Sequence, residues 1–299
     1  MSGFLKLSAL CAFVIASSAL PTSAGEEKEA REGGLTGTGI VGEIVKLGSI
    51  IVNTQRITFA PDMQVSSAAG PKPASALRPG QTVAVAVQRD GDHWAADAIT
   101  QVHPIVGPVS EVHPDALVVM GARILKDARA PEVAVGDWIA VSGFWNRETV
   151  IATAIEVVPP QAQASVQGSY ASAPEDTPSW KLGAVTMNGP RPEHATEGQI
   201  LRVYGTAQRD GLEVRDMRLG VFDAPKALVL AEGYFSVVSV TGHYTVAGSG
   251  LSSYTEQRGD VMTQDKVRIC GVDGTIVKPD AVLSAETRAQ LRVLGCPTP

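Results

Sequence analysis

Four short glycine-led segments recur along this 299-residue chain at nearly constant spacing. Gly42, Gly107, Gly168 and Gly233 open them, at intervals of 65, 61 and 65 residues. A fixed period of this length means an array of one small unit rather than one large domain. Units of about 60 residues lie near the lower limit of independent stability, so neighbouring units are expected to pack on one another.

The first unit shows the pattern most fully. Gly39-Ile40-Val41-Gly42-Glu43-Ile44-Val45-Lys46 reads as a strand, Gly48 and Asn53 punctuate, and Ile50-Ile51-Val52 is a second strand. A loop rich in Pro, Ala and Ser follows from Pro61 to Pro79. Thr82 to Val87 then alternates strictly, Asp90-Gly91 marks a hairpin turn, and Trp94 to Ile99 returns. Gly136 to Val141, Gly198 to Val203 and Gln264 to Ile269 repeat the alternating strand, and Asp210-Gly211 and Asp273-Gly274 repeat the turn. Unit 3 departs by an insertion between Ala171 and Ser179. Ser284, Glu286 and Gly295 frame one C-terminal helix, with Thr287, Leu291 and Leu294 on one face.

Antiparallel units of this size cannot safely leave two bare edges. The expected fold is therefore all-β: a tandem array of four small antiparallel five-stranded (OB-like) barrels with one short C-terminal helix. Paired β-sandwiches are the runner-up, and the period is too long for propeller blades. The chain divides into a signal peptide (1–24), an acidic linker (25–36) and units over 37–103, 104–160, 161–225 and 226–299. Pro159 to Ala164 reads as a linker that splits the array into two consecutive pairs, and the terminal helix as the seal on its last unit.

The ends set the compartment. Lys6, the apolar stretch Leu7 to Leu20 and Thr22-Ser23-Ala24 form a secretory signal, too short to span a bilayer. Its removal takes Cys11 with it and moves the formal net charge from −6 to −7 by loss of Lys6. Mild acidity disfavours nucleic acid as a partner. Cys270 and Cys296 remain, and an even pair in an oxidising compartment is read as one disulfide. A metal site is the alternative, but no His lies near the two thiolates.

Gly37 to Ile44, Leu47 to Asn53, Leu77 to Val85 and the junction Val106-Gly107-Pro108-Val109 resemble the exported bacterial domain family catalogued as domain of unknown function 5666. The resemblance is closest over residues 37–157. It implies small barrels in the envelope of a Gram-negative bacterium, with the periplasm as their location, and it transfers no catalytic residue.

Each chemical motif has a structural reading beside it. Gly37, Gly39 and Gly42 match GxGxxG, but an acidic linker precedes them and a strand follows, so no phosphate-binding helix start is formed. Gly248-Ser249-Gly250 lacks the spacing of a nucleophile elbow and reads as a turn. His93, His103 and His113 make a metal site only if the fold gathers them; otherwise each is a polar strand-end residue. The adjacent rings Phe144 and Trp145 put one side chain inward and one outward on a strand, and the outward ring is the expected contact surface.

The expectation from these residues is a non-catalytic exported protein without a cofactor. It binds or scaffolds an envelope protein; the alternative is an envelope oligosaccharide, and a metal-binding protein or hydrolase is third.

Overall fold

A computed structural model of the protein describes residues 37–171, 179–257 and 263–296. All of them fall in a compact unit spanning Leu35–Pro299. The signal peptide and acidic linker expected over 1–36, and residues 172–178 of the insertion in unit 3, lie outside the described residues.

In barrel 1, β1 (Thr38–Lys46), β2 (Ile50–Val52) and β3 (Gln55–Thr58) form an antiparallel meander. The chain passes through β4 (Gln64–Ser66), β5 (Lys72–Pro73) and a 3-10 turn (Ala74–Ala76). It then forms the hairpin of β6 (Thr82–Asp90) and β7 (His93–Gln101). β6 lies antiparallel to β1 and β7 parallel to β3, so the sheet closes as β1-β2-β3-β7-β6 and back to β1. The stretch expected as a plain loop does more than connect. Val65, Ala74 and Leu77 from it are buried in the core of barrel 1, without a period that the sequence could betray.

Barrel 2 closes in the same order with β8 (Ile105–Val112), β9 (Ala116–Val119), β10 (Ala122–Leu125), β11 (Trp138–Asn146) and β12 (Thr149–Val158). Barrel 3 uses β13 (Ala164–Ser169), β14 (Ser179–Leu182), β15 (Val185–Asn188), β16 (Ile200–Gln208) and β17 (Gly211–Leu219). Among the described residues, its first and second strands meet only at the bridge Tyr170–Leu182. Barrel 4 uses β18 (Leu228–Gly233), β19 (His243–Val246), β20 (Leu251–Tyr254), β21 (Val267–Val272) and β22 (Thr275–Ile276), with the bridge Phe235–Val246 closing it.

The recurring glycine has one physical role in all four copies. It sits on the first strand where the end of the second strand folds against it. A Cβ at Gly42 would lie 2.9 Å from the Asn53 amide, and one at Gly233 2.8 Å from Val246 Cγ1. At Gly107 the nearest atom is Met120 Cε, 3.1 Å away; at Gly168 Trp145 Nε1 of barrel 2 lies at 3.2 Å and Leu182 Cγ at 3.3 Å. The period is thus the signature of the closure point, where a side chain on the first strand would hold the barrel open.

The barrels are not strung in a row. First strands join them: β1 runs parallel to β18 over Thr38–Val41, and β8 runs antiparallel to β13 through Val106–Ser165 and Ile105–Val166. Barrels 2 and 3 share one apolar core, and barrel 1 shares another with β18, β21 and the C-terminal helix. The arrangement is nested, an outer pair (1 and 4) around an inner pair (2 and 3). This corrects the expected split into consecutive pairs. It also explains strands buried on both faces: in β6, Val83, Val85 and Val87 fill barrel 1 while Ala84 faces a third core shared by barrels 1, 3 and 4.

Helix α1 (Ala285–Val293) is capped by Ser284, whose Oγ accepts from the Thr287 N–H at 3.0 Å. Cys296, just beyond it, is bonded to Cys270 of β21. The helix does not seal a free end. Leu291 and Leu294 pack into the core of barrel 1, and a Cβ at Gly295 would meet the Gln55 amide at 2.6 Å. The last element therefore braces the first barrel.

Candidate functional site

Phe144 and Trp145 do point in opposite directions, but neither reaches solvent, at 5% and 3% exposure. Trp145 enters barrel 3: its Nε1 donates to the Gln167 carbonyl at 2.7 Å, and a Cβ at Gly183 would touch its ring at 2.6 Å. Phe144 faces barrel 4, with Lys266 Nζ 5.1 Å from its ring centroid. The expected solvent-facing platform is thereby corrected: the outward side of β11 is covered because its neighbours are other barrels.

The histidines part ways. His93 pairs with Asp90 at 3.3 Å and His113 with Glu111 at 3.2 Å, both near the surface. His103 is buried. No group of three or more His, Cys, Asp or Glu is placed to hold a metal ion among the described residues. Gly39 and Gly42 lie within β1, where Phe222 and Asn53 occupy the space their side chains would take. Ser249 is a turn residue, its hydroxyl donating to the Val246 carbonyl at 2.7 Å.

The polar chemistry of the molecule concentrates between barrels 1, 2 and 3, around His103 and at further residues the sequence reading passed over. Glu156 of β12 receives Gln81 Nε2 (2.9 Å) and Gln101 Nε2 (2.7 Å) on one oxygen and Lys72 Nζ (3.1 Å) on the other. Burial raises the Glu156 carboxyl, but Gln101 and Lys72 together hold it below its ordinary value. His103 lies beside this node. Its Nδ1 faces the Val141 carbonyl at 3.2 Å, which only accepts, so Nδ1 carries the proton. Its Nε2 then accepts from the Ser67 hydroxyl at 3.0 Å. Burial pushes His103 down to about 4, so the ring is neutral.

A cleft of about 140 Å³ opens from this junction toward barrel 3. Gln101, Ser165, Gln167, Arg202 and Tyr204 line it. Four buried atoms of these residues have no hydrogen-bond partner among the described residues: Gln101 Oε1, Ser165 Oγ, Gln167 Nε2 and Arg202 Nε. Buried polar groups are nearly always paired, so these four stand out, each closed off from water. Long polar side chains on strands of small residues, such as Gln167 in Ala-Ser-Val-Gln-Gly-Ser, are the one signal that the sequence offered.

A second surface lies on the outer side of barrel 4. The loop between β18 and β19 exposes Val237 at 66% and Val240 at 88%, and Tyr254 on the neighbouring β20 is 48% exposed. Hydrogen bonds order this loop. Ser236 exchanges backbone and side-chain bonds with Thr245, and Ser239 Oγ accepts from the His243 N–H at 3.0 Å. The Gly242 carbonyl accepts from Thr255 at 2.9 Å, and the His243 and Tyr254 rings stand edge to face at 5.7 Å.

Fold and sites together define the class: an all-β body of four OB-like barrels fused through their first strands. The family model described as Domain of unknown function (DUF5666) matches residues 106–156, which is most of barrel 2. The resemblance seen in the sequence is thus borne out over that barrel. No curated protein and no solved structure matches the chain. Among the described residues, no helix is long and apolar enough to cross a membrane.

Proposed function

We propose that the protein is a non-catalytic binding module of the bacterial envelope that docks a protein partner on the outer face of barrel 4. The observation that carries this reading is the ordered apolar loop with Val237 and Val240 beside Tyr254. Barrels of this class use the face of their second and third strands and the adjoining loops for recognition. Here that face is β19–β20, and the loop leading into it presents apolar side chains at little ordering cost. The export signal over residues 1–24 and the Cys270–Cys296 bond are compatible with an envelope setting. His103, Glu156 and Glu232, whose acidities burial displaces, are engaged in contacts between barrels, which supports a structural rather than catalytic use. The oligosaccharide reading rested on a solvent-facing ring at Phe144 or Trp145, and both rings are covered.

The test is crosslinking capture from envelope extract with the wild type and the Val237→Asp/Val240→Asp variant. Specific proteins should be captured by the wild type and lost by the variant, with melting unchanged. Capture of nothing above control, or capture indifferent to the two charges, sinks the reading.

A further inference from the structure

We propose that a cleft at the seam of barrels 3 and 4 receives a lysine side chain of the partner, a refinement that rests on the docking reading above. The cleft has a volume of about 220 Å³, and Val237 and His243 of the docking loop form part of its wall. It is therefore continuous with the proposed contact face. The argument starts from one turn that three barrels share. Residues 78–81, 134–137 and 196–199 lead into β6, β11 and β16. In each, the fourth N–H donates to the first carbonyl, at 3.3, 3.1 and 3.1 Å. The fourth side chain accepts from the first N–H, at 2.8, 2.8 and 3.0 Å. Glycine stands third, with φ of +88°, +97° and +87°. The second position carries Pro79, Val135 and Glu197. The turn itself thus needs no charge there, and the carboxylate of Glu197 has another use.

Glu197 lines the cleft, is half-buried, and has no hydrogen bond or ion pair among the described residues. Its turn is fixed against barrel 4. The Gly198 N–H donates to the Tyr170 carbonyl at 2.8 Å, and a Cβ at Gly198 would lie 3.0 Å from Ser252 Cβ. Among the described residues, no lysine or arginine lines the cleft. His243 is the one lining side chain able to carry a positive charge, and its Nδ1 is engaged with Thr241 Oγ1 at 3.2 Å. The wall therefore favours a cation as its guest. Ser236 also lines it, and its Oγ already donates to the Val237 carbonyl, so it can only accept from a guest. The remainder suits an alkyl chain, with Tyr170, Val237 and Tyr244. Lysine combines the two parts, an apolar stem and a compact ammonium with three donors. Arginine would bring five donors in a fixed plane and leave more of them unmatched. A volume of about 220 Å³ equals the share of about seven waters at ~30 Å³ each, room for one long side chain and not for a folded element.

The experiment is an amide NMR titration of the whole protein with Nα-acetyl-lysine methylamide and its norleucine and arginine analogues, run beside the capture from envelope extract. The lysine probe should bind saturably and shift the amides of Gly198 and Thr245. The norleucine analogue, which keeps the stem and lacks the ammonium, should bind at least about tenfold more weakly, the effect of one hydrogen bond to a charged group. Glu197→Gln should weaken the lysine probe by the same factor and reduce capture of the partner, with melting unchanged because Glu197 holds no contact of the fold. Lysine binding no tighter than norleucine, or indifferent to Glu197→Gln, would overturn the proposal. Tighter binding of the arginine analogue would overturn the choice of lysine. If Glu197→Gln does not fold, the three probes on the wild type decide. Capture that needs Val237 and Val240 but ignores Glu197→Gln sinks this inference and leaves the partner reading standing. Lysine binding that depends on Glu197, with no protein captured, does the reverse: the cleft keeps its preference for an alkylammonium and the partner reading falls.

Discussion

The outer and inner pairs of barrels are joined by the same device, first strand to first strand, yet are braced differently. The inner seam is short, two residue pairs between β8 and β13, and Trp145 driven into barrel 3 holds it. The outer seam is longer, four pairs between β1 and β18. It carries added braces: Phe222 over Gly39, Lys266 between Glu43 and Glu232, and the disulfide-pinned helix. Sequence separation is the obvious reason, because the outer partners lie about three times farther apart along the chain. Loop closure grows only logarithmically, however, so that difference costs about 1 kcal/mol. The disulfide closes a 26-residue loop and contributes about 3 kcal/mol. The braces therefore exceed what chain entropy demands. They compensate for barrel 4 itself, whose β22 has two residues and meets β20 at one pair. A barrel with weak closure depends on its neighbour, while barrels 1 and 2 close by ladders of their own.

The strongest blow to the inner pair is Gly143→Val. Gly143 has φ +146° at the bulge in β11, and a Cβ there would lie 2.2 Å from the Ile151 carbonyl oxygen. Its N–H also donates to Thr82 Oγ1 of barrel 1 at 2.6 Å. Backbone strain plus a backbone clash should cost about 4 kcal/mol or more in urea unfolding. A loss under about 1 kcal/mol would show that the bulge relaxes and that the inner pair is not rigid.

Next comes the outer pair. Cys270→Ser/Cys296→Ser should lower stability by about 3 kcal/mol. Hydrogen exchange should show α1, β21 and β22 losing protection while β8–β12 retain theirs. Equal loss in both pairs would dissolve the distinction and make the molecule one cooperative unit.

Acid addresses the junction between the pairs. His103 is neutral when folded, with its value lowered from 6.5 to about 4 by burial, against the pull of Glu156. Between those values the unfolded chain binds the extra proton, so stability falls as pH falls, by about 2 kcal/mol near pH 5. Glu156, held below its ordinary value, loses its contribution only at lower pH. Melting temperature against pH should fall through this window, and His103→Gln should flatten it. An unchanged profile in the variant would assign the acid response elsewhere.

Much of this was legible beforehand, for stated reasons. Period, alternation and turn residues follow local geometry, so four barrels, their hairpins and the capped helix could be read off. The cysteine pair followed from count and from the expected export. The nesting was not legible, because nothing local in Thr38–Val41 says that Leu228–Ala231 is its partner. The same gap misplaced Phe144 and Trp145: alternation on β11 is right, but which face meets solvent depends on neighbours from other units. The cleft escaped for a related reason. Gln101, Gln167 and Arg202 lie in three separate strands and acquire meaning only when barrels 1 and 3 meet.

The smallest expected effect separates charge from packing in the outer seam. Lys266 Nζ lies 3.3 Å from Glu43 and 3.6 Å from Glu232, and also rests on the Phe144 ring. Being partly exposed, the ion pairs are worth about 1 kcal/mol or less. Burial pushes the Glu232 carboxyl up, held back by the Glu43 backbone N–H and by Lys266. An acid whose folded value is raised keeps its proton longer in the folded state, so its burial costs stability as pH rises through that range. Lys266→Met should raise Glu232 further. The variant's deficit is then largest near neutral pH and shrinks once Glu232 is protonated, and adding Glu232→Gln should erase most of it. A deficit that stays constant with pH would instead locate the brace in the contact with Phe144. The outer pair would then be held to the inner pair by packing, as Trp145 holds barrel 2 to barrel 3.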